Sequence, residues 1–325
     1  MLRHVLMTAA IAVLAAALPA QAQTADDYPS KPIKIVVAAG AGGPTDVPAR
    51  IASQILTAKF GQPVVVENRP GAGGVLGARA VATAPADGYT LLMGNTSVMA
   101  VIPAVSAGAG YDPVKDFVPI VKMTEGFQIL VVHPASSWKT LKEFVDHAKA
   151  HPSKLNYAHT GNGGLPHLAG ELFMLRSGAK MTGVSYRSGG ESNTAVLGQT
   201  VDATFENIAI LRTLITEGRL RALAVQNAAR TPLLPELPTM AEVGLADCEA
   251  NTFYGLAAPA GTPASIVAKL NAAINEAMAT PEMQRTITSL GSESKPNTPA
   301  EFAAFIAAQH KKWLDVGNAA GVKVN

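Results

Sequence analysis

The sequence is poor in the residues that several classes of protein require. Its single cysteine, Cys248, excludes an intrachain disulfide, and an aromatic content of 5% disfavours stacking platforms for sugars or bases. The 26 Lys and Arg nearly balance the 24 Asp and Glu without any basic run, which excludes nucleic acid and anionic membrane surfaces as partners. No G-x-S-x-G or H-E-x-x-H motif is present and no base neighbours Cys248. We therefore predict no enzymatic activity, no metal site and no cofactor.

The N-terminus has the pattern of a secretory signal peptide. Arg3 and His4 precede the apolar run Val5–Leu18, and the small residues of Ala-Gln-Ala follow at 20–22. This predicts a signal peptide at residues 1–22 and export of the remainder. The alternative, a membrane anchor, is disfavoured because the run is shorter than the roughly 20 residues of a spanning helix.

Alternation of strands and helices predicts an α/β fold. Apolar β-branched runs alternate with amphipathic helices, as in βαβ units with parallel strands and right-handed crossovers. A chain of about 300 residues predicts two domains. We expect the long strands Ile129–Val132 and Phe253–Pro259 to pair as a hinge between them, and Tyr111–Phe117 to form a surface loop.

Two Gly-rich turns follow strands and precede helices. Gly40–Thr45 precedes a helix that begins at Asp46, and Thr160–Gly164 precedes a helix that carries His167. The first backbone N–H groups of a helix are free and its dipole is positive there, so each turn can bind an anion. Ligands of open α/β sheets lie beyond the carboxyl ends of the strands, so we expect both turns to face one ligand. Three polar strand ends belong to the same edge: Asn95–Ser97, Tyr186–Gly190 and Glu206–Asn207.

Several of these residues also have a structural interpretation. Asp46 is predicted to be a helix N-cap, because an unpaired buried carboxylate would repel an anion. His167 and Glu171 have a spacing that suits a metal, but capping or packing is favoured without a third ligand. Arg187 either grips a carboxylate or is a solvated surface residue. Glu206 either binds an amino or protonated group of the ligand or makes a hydrogen bond at the hinge.

Longer motifs together resemble one family. The run NRPGAGG at 68–74 lacks the dinucleotide fingerprint, since Leu76 stands where a third glycine is needed, and we interpret it as a structural turn. With YPSKPIKIVV, DGYTLL, YDPVKDFVPI, HLAGELF, LRALAV, LPTMAEVGL and GLAAPAGTPASIV, it resembles the substrate-binding receptors of tripartite tricarboxylate transporters, the Bug-type periplasmic binding proteins. The runs cover nearly the whole mature chain. Two loops depart from the family pattern: residues 38–39 are Ala-Ala, and His159 and Gly164 replace serines.

The resemblance implies a fold and a function. It implies a two-domain, type II periplasmic binding protein (a Venus flytrap) with the ligand cleft between the domains. Domain 1 would comprise residues 23–128 plus 255–325, and domain 2 residues 129–254. It also implies that a small carboxylate is captured in the periplasm and delivered to membrane permease subunits. In the loop where it replaces a serine of the family pattern, His159 either adds a cation near that carboxylate or reshapes the pocket.

We therefore expect a non-catalytic, monomeric receptor that closes on a small carboxylate. The alternative is a periplasmic sensing module whose closed form docks a sensor kinase ectodomain. A periplasmic hydrolase would need a base-paired nucleophile, which the sequence does not supply. The sequence leaves open whether the ligand is a di- or tricarboxylate, an acidic amino acid or an aromatic acid. The candidate ligand-binding residues are Ala41, Gly42, Gly43, Thr45, Asn95, Thr96, Ser97, His159, Thr160, Gly161, His167, Tyr186, Arg187 and Glu206.

Overall fold

Two sheets organise the chain. The computed structural model describes residues 27–324, and the predicted signal peptide lies outside the described residues. One sheet has six strands in the order β11-β4-β10-β3-β1-β2, and the other has five in the order β7-β6-β8-β5-β9. We call the six-stranded sheet with its helices lobe A, and the five-stranded sheet with its helices lobe B. The strands are β1 (Ile33–Val37), β2 (Val64–Asn68), β3 (Thr90–Asn95), β4 (Phe117–Gly126), β5 (Gln128–Val132), β6 (Leu155–His159), β7 (Met181–Ser185), β8 (Ala203–Asn207), β9 (Arg221–Val225), β10 (Thr252–Pro259) and β11 (Ser292–Glu293).

The helices follow the strands in alternation over much of the chain. Short 3-10 or π segments occur at Ala72–Gly74, Ser97–Val101 and Ala107–Ala109. The α-helices are α1 (Asp46–Phe60), α2 (Val75–Ala82), α3 (Ile102–Val105), α4 (Leu141–Ala150), α5 (Leu165–Ser177), α6 (Gly189–Leu197), α7 (Ile208–Thr216), α8 (Ala264–Met278), α9 (Pro281–Ser289) and α10 (Pro299–Ala320).

Both sheets are mixed, although the predicted βαβ units are present. In lobe A, β2, β1 and β3 are parallel neighbours, whereas β10 runs antiparallel to both β3 and β4. In lobe B, β7, β6 and β8 are parallel and β5 runs antiparallel to both β8 and β9. The α/β fold class is therefore confirmed. Helices on both faces bury the apolar strands, which explains their nearly continuous hydrophobic runs.

β4 is the main element that the sequence reading missed. The predicted surface loop ends at Phe117, but this side chain is buried and begins a ten-residue strand. Pro119 lies within this strand, although proline cannot donate to a β-ladder. The structure places Pro119 opposite Ala257 at a register shift in the pairing of β4 with β10, where the ladder is already interrupted.

The predicted pairing of the two long strands is wrong. β5 lies between β8 and β9 in lobe B, and β10 lies between β3 and β4 in lobe A. The chain passes from lobe A to lobe B at Phe127, between β4 and β5. It returns to lobe A at Asn251, directly before β10. A hydrogen bond from Thr252 Oγ1 to Gln128 Oε1 (3.2 Å) ties the two crossings together. The predicted domain boundaries near these crossings stay a prediction.

One hydrophobic core extends through both lobes. It joins Val36 and Leu92 of lobe A to Leu130 and Phe205 of lobe B. The last helix, α10, adds Phe302 and Trp313 to the same core, and it packs against α5 of lobe B as well as β4 of lobe A. The lobes are therefore connected by packing as well as by the two crossings of the chain.

Candidate functional site

A crevice of about 530 Å³ lies between the lobes, at the carboxyl ends of their central strands. This is where ligands bind in open α/β sheets. None of the described residues that line it is Lys, Arg or His, and only Glu206 contributes a carboxyl group. The predicted site residues on its wall are Ala41, Gly43, Thr45, Asn95, Thr96, Ser97, Thr160 and Glu206.

The turn before α1 presents free backbone donors to the crevice. Within the described chain, the N–H groups of Ala41, Gly43 and Thr45 make no hydrogen bond, and all three residues line the crevice. The N–H of Gly42 is already used, because it donates to Asp46 Oδ2 (2.9 Å). The predicted capping role of Asp46 is corrected: Thr45 is the N-cap, and Asp46, the first helical residue, folds back to fix the turn.

Asp46 is buried yet fully paired. Arg50 Nε donates to its Oδ2 (2.7 Å), and Asn68 Nδ2 donates to its Oδ1 (2.9 Å). Burial alone would raise the pKa of Asp46, but the hydrogen bonds from Arg50, Gly42 and Asn68 outweigh it and hold the pKa below its usual value. The carboxylate therefore stays ionised and hydrogen-bonded. It fixes the turn before α1 and does not line the crevice.

A second helix N-terminus faces the same crevice from lobe B. Ser188 Oγ caps α6 by accepting a hydrogen bond from the N–H of Glu191 (3.2 Å). The N–H groups of Gly189 and Gly190 make no hydrogen bond within the described chain, and both residues line the crevice. Because α1 belongs to lobe A and α6 to lobe B, the positive ends of two helix dipoles meet across one space.

The N-terminus of α5 is occupied by lobe A itself. The N–H of Leu165 donates to Ser97 Oγ (3.0 Å), a direct contact between the lobes. The neighbouring Asn95 and Thr96 are also committed to the structure. Asn95 Nδ2 donates to Thr45 Oγ1 (3.0 Å), and Thr96 Oγ1 accepts from the N–H of Phe253 (2.7 Å). These side chains fix the wall of the crevice.

Glu206 is the one acidic residue among the described residues that line the crevice. It is 8% exposed, and its Oε1 accepts a hydrogen bond from the N–H of Asn207 (2.9 Å). Its Oε2 makes no hydrogen bond within the described chain. Burial raises the pKa of Glu206 to about 7. Burial and the charge of Glu206 also raise the pKa of Tyr254, which lines the same wall.

Three other predicted residues line a different space. Gly161, Tyr186 and Arg187 border a cavity of about 880 Å³, which also contains the Gly-rich turn 70–74. We call it the outer cavity; it shares Ala39, Asn95, Ser97 and Thr160 with the crevice and so opens beside it. Gly42 lines neither of these two spaces. It borders a smaller cavity that also adjoins the crevice.

His159 and His167 line none of these spaces, contrary to expectation. Their rings stack with centroids 4.5 Å apart, and His159 is 2% exposed. His159 Nδ1 lies 3.1 Å from the carbonyl of Gly161, and His167 Nδ1 accepts from the N–H of Gly163 (3.1 Å). Burial lowers the pKa of His159, and burial with the charge of His159 lowers the pKa of His167 to about 4. The structure therefore does not favour a cationic His159 beside the ligand. The two histidines instead contact the backbone of the turn Thr160–Gly164.

His167 and Glu171, whose spacing would suit a metal, make contacts within the protein. His167 Nε2 is 3.7 Å from Glu171 Oε1, which accepts a hydrogen bond from Tyr157 Oη (3.1 Å). Among residues 27–324, no group of three or more His, Cys, Asp or Glu is placed to hold a metal ion. Both side chains are half-buried on α5, where they contact each other and Glu171 contacts Tyr157 of β6.

The predicted ligand-binding residues did not include those at the start of α6. The sequence placed Tyr186–Gly190 at the ligand edge but offered only Tyr186 and Arg187 as ligand-binding candidates, whereas Ser188, Gly189 and Gly190 line the crevice. A signal was available, because a serine followed three residues later by an acidic residue is a typical N-cap pattern. The other lining residues that were not candidates lie in strands and helices of both lobes: Gln128, Leu165, Pro166, Asn193, Asn207, Ile210, Thr252 and Tyr254.

Comparison with known proteins decides the family. The model of the tripartite tricarboxylate transporter family receptor matches residues 48–322. The chain belongs to this receptor family. Protein BugT of Bordetella pertussis is 36% identical to it over 302 residues, which cover 93% of each chain. The resemblance found in the sequence motifs is thereby confirmed.

Solved structures of other proteins have the same fold as this receptor. A protein of R. palustris, solved with adipate, is 30% identical with a TM-score of 0.84 and covers 91% of this chain and 99% of its own. MatC of Rhodopseudomonas palustris, with bound malate, is 32% identical with a TM-score of 0.80 and covers 89% and 99%. The type II periplasmic binding-protein fold is confirmed.

The receptor family is one of periplasmic solute-binding proteins, and the protein is not an enzyme. Its cysteine agrees with this, because burial raises the pKa of the Cys248 thiol to about 11 and keeps it protonated. Among residues 27–324, none of the helices combines the length and hydropathy of a membrane span.

Proposed function

We propose that the crevice binds a small carboxylate, held by the N-termini of α1 and α6. The observation that carries this is the set of free N–H groups of Ala41, Gly43, Thr45, Gly189 and Gly190, which line one space from opposite lobes. Backbone donors at a helix N-terminus bind anions without a cationic side chain. Adipate and malate in the two relatives support the same ligand class.

The physiological role that we propose is periplasmic capture followed by delivery to the permease subunits of a tripartite transporter. A ligand held by donors of both lobes stabilises contacts that neither lobe makes alone, so binding favours the closed form. Subcellular fractionation of bacteria that express the full sequence tests the periplasmic location. Uptake of the identified acid, measured with and without the gene, tests delivery: unchanged uptake would contradict the transport role.

Binding is tested first by calorimetry and thermal shift on residues 23–325, refolded to remove carried-over ligand. At one hundred times Kd, a ligand specific for the folded state adds about 2.7 kcal/mol to the free energy of unfolding. We expect a clear shift with at least one carboxylate and none with its amide analogue. If no acid shifts the melting temperature, the carboxylate proposal is overturned.

A matched pair of variants tests the α6 donors. Gly190→Pro removes one N–H from the first turn, a position where proline is compatible with a helix, as Pro166 is in α5. Gly190→Ala keeps the N–H, and a Cβ there would meet only Ser188 Oγ, at 3.8 Å. A hydrogen bond to a charged group contributes about 1.5–3 kcal/mol, so we expect Gly190→Pro to weaken binding roughly 10- to 100-fold. Equal affinities of the two variants would exclude this donor from the site.

A further inference from the structure

A second, smaller cavity continues from the crevice. It has a volume of about 310 Å³, and we call it the annex. The two spaces share Gly43, Pro44, Asn207, Ile210 and Tyr254, so they meet directly beside the turn that precedes α1. A molecule whose carboxylate lies at that turn can therefore extend into the annex.

The walls of the annex are mostly apolar and come from both lobes. α1 contributes Val47 and Ile51, α7 contributes Ile210, and α9 with the residue that follows it contributes Ile287 and Leu290. Val47, Ile51 and Ile210 are only half-buried, so they present apolar surface to the space. Water in contact with such surface is released when an apolar group replaces it, which favours binding.

Polar residues also line the annex: Thr124, Asn207, Arg212, Thr213, Ser289 and Ser292. Arg212 is the only cationic side chain among its described lining residues, and its Nη1 donates to the carbonyl of Ser289 (3.0 Å). This hydrogen bond joins α7 of lobe B to α9 of lobe A at the wall of the annex. The lobes therefore enclose the annex together, as they enclose the crevice.

We propose that the ligand is an organic acid with an extended apolar part, which fills the annex while its carboxylate binds at the helix N-termini. This inference rests on the proposed function and adds the chemical class of the ligand. The crevice alone would accept a short, wholly polar acid. A mostly apolar annex, shared between the lobes, favours a chain of several carbon atoms or an aromatic ring.

The first test is a length series of unbranched monocarboxylates, from butanoate to octanoate, with phenylacetate as the aromatic probe. Each methylene group transferred from water contributes about 0.8 kcal/mol, so we expect Kd to fall about fourfold per added carbon until the annex is full. Calorimetry also reports a negative heat-capacity change that grows with chain length. An affinity independent of length, with phenylacetate no tighter than butanoate, would overturn the proposal.

The second test fills the annex from its wall. Ile51→Trp on α1 and, independently, Leu290→Trp after α9 each place a large side chain in the annex, at partly exposed positions. We expect at least tenfold weaker binding of octanoate, with butanoate unchanged. Val65→Trp is the control, because Val65 is 55% exposed and lines neither the crevice nor the annex.

The outcomes separate the two proposals. Equal losses for octanoate and butanoate in both filled variants would show that the annex does not hold the chain, while carboxylate binding itself would stand. If no acid binds the wild-type protein, the proposed function fails and the annex proposal falls with it. Circular dichroism and urea unfolding of each variant confirm that any loss is not caused by misfolding.

Discussion

At the scale of single residues, two buried carboxyl groups show how partners decide charge. Asp46 receives hydrogen bonds from Gly42, Arg50 and Asn68, which hold its pKa below the usual value despite burial. Glu206 receives one, from the N–H of Asn207, and burial raises its pKa to about 7. Near neutral pH, Glu206 therefore exchanges a proton, whereas Asp46 remains a fixed anion.

We predict that Glu206 makes stability depend on pH. Its pKa is 4.5 in an ordinary environment and about 7 in the folded protein, so the folded state binds more protons than the unfolded chain between those values. Stability must then fall as pH rises through this window, by at most about 1.4 kcal/mol per pH unit. Urea unfolding at a series of pH values measures the slope.

The variant Glu206→Gln should flatten that slope between pH 5 and 7. Glu217→Gln is the control, since this side chain is 51% exposed in the turn after α7. The same slope in wild-type protein and in Glu206→Gln would contradict the prediction. An anionic ligand should also bind more tightly below pH 7, because the neutral form of Glu206 does not repel it.

At the scale of elements, α10 has a strongly defined start. Thr298 Oγ1 accepts from the N–H of Glu301 (3.2 Å), and Glu301 Oε2 accepts from the N–H of Thr298 (2.7 Å). This capping box satisfies donors that the helix itself leaves free. It matters because α10 packs on both lobes through Phe302 and Trp313.

We predict that Thr298→Ala lowers the free energy of unfolding by about 1 kcal/mol, the usual cost of losing a side-chain N-cap. Thr298→Ser retains the accepting oxygen and should remain within a few tenths of a kcal/mol of wild type. The urea midpoint measures both. A loss of the same size in the serine variant would indicate that the methyl group, not the cap, carries the effect.

At the scale of the whole molecule, the shared core couples the lobes. Residues of both sheets and of α10 form one continuous apolar cluster, so neither lobe can unfold without exposing part of the other. We predict a single calorimetric transition whose van't Hoff and calorimetric enthalpies agree. Two resolved transitions would contradict this coupling.

A core variant sharpens that prediction. Phe302 is 1% exposed within the shared core, and Phe302→Ala should cost about 3–5 kcal/mol while keeping one transition. Leu314→Ala on the same helix is the control, because Leu314 is 39% exposed and should change stability little. Two resolved calorimetric transitions in Phe302→Ala, but not in Leu314→Ala, would mean that the packing of α10 couples the two lobes.

The sequence predicted the elements whose signals are local. The start of α1 at Asp46 follows from the Gly-rich turn that precedes it, and it was predicted as observed. The family and the α/β class followed from motifs spread along the chain. The Gly-rich turn before α1 was placed on the crevice wall because a turn between strand and helix has few alternative positions.

Only the tertiary structure decided which side chains face the crevice and which elements meet. A side chain on a strand points to one of two faces, and the sequence could not show that His159 points away from the crevice toward His167. The pairing of β4 with β10, the span of α10 over both lobes and the burial of Glu206 depend on residues far apart in the chain. Local propensity and capping fix secondary structure and family motifs. Long-range packing fixes the cavities, the proton affinities and therefore the chemistry of the site.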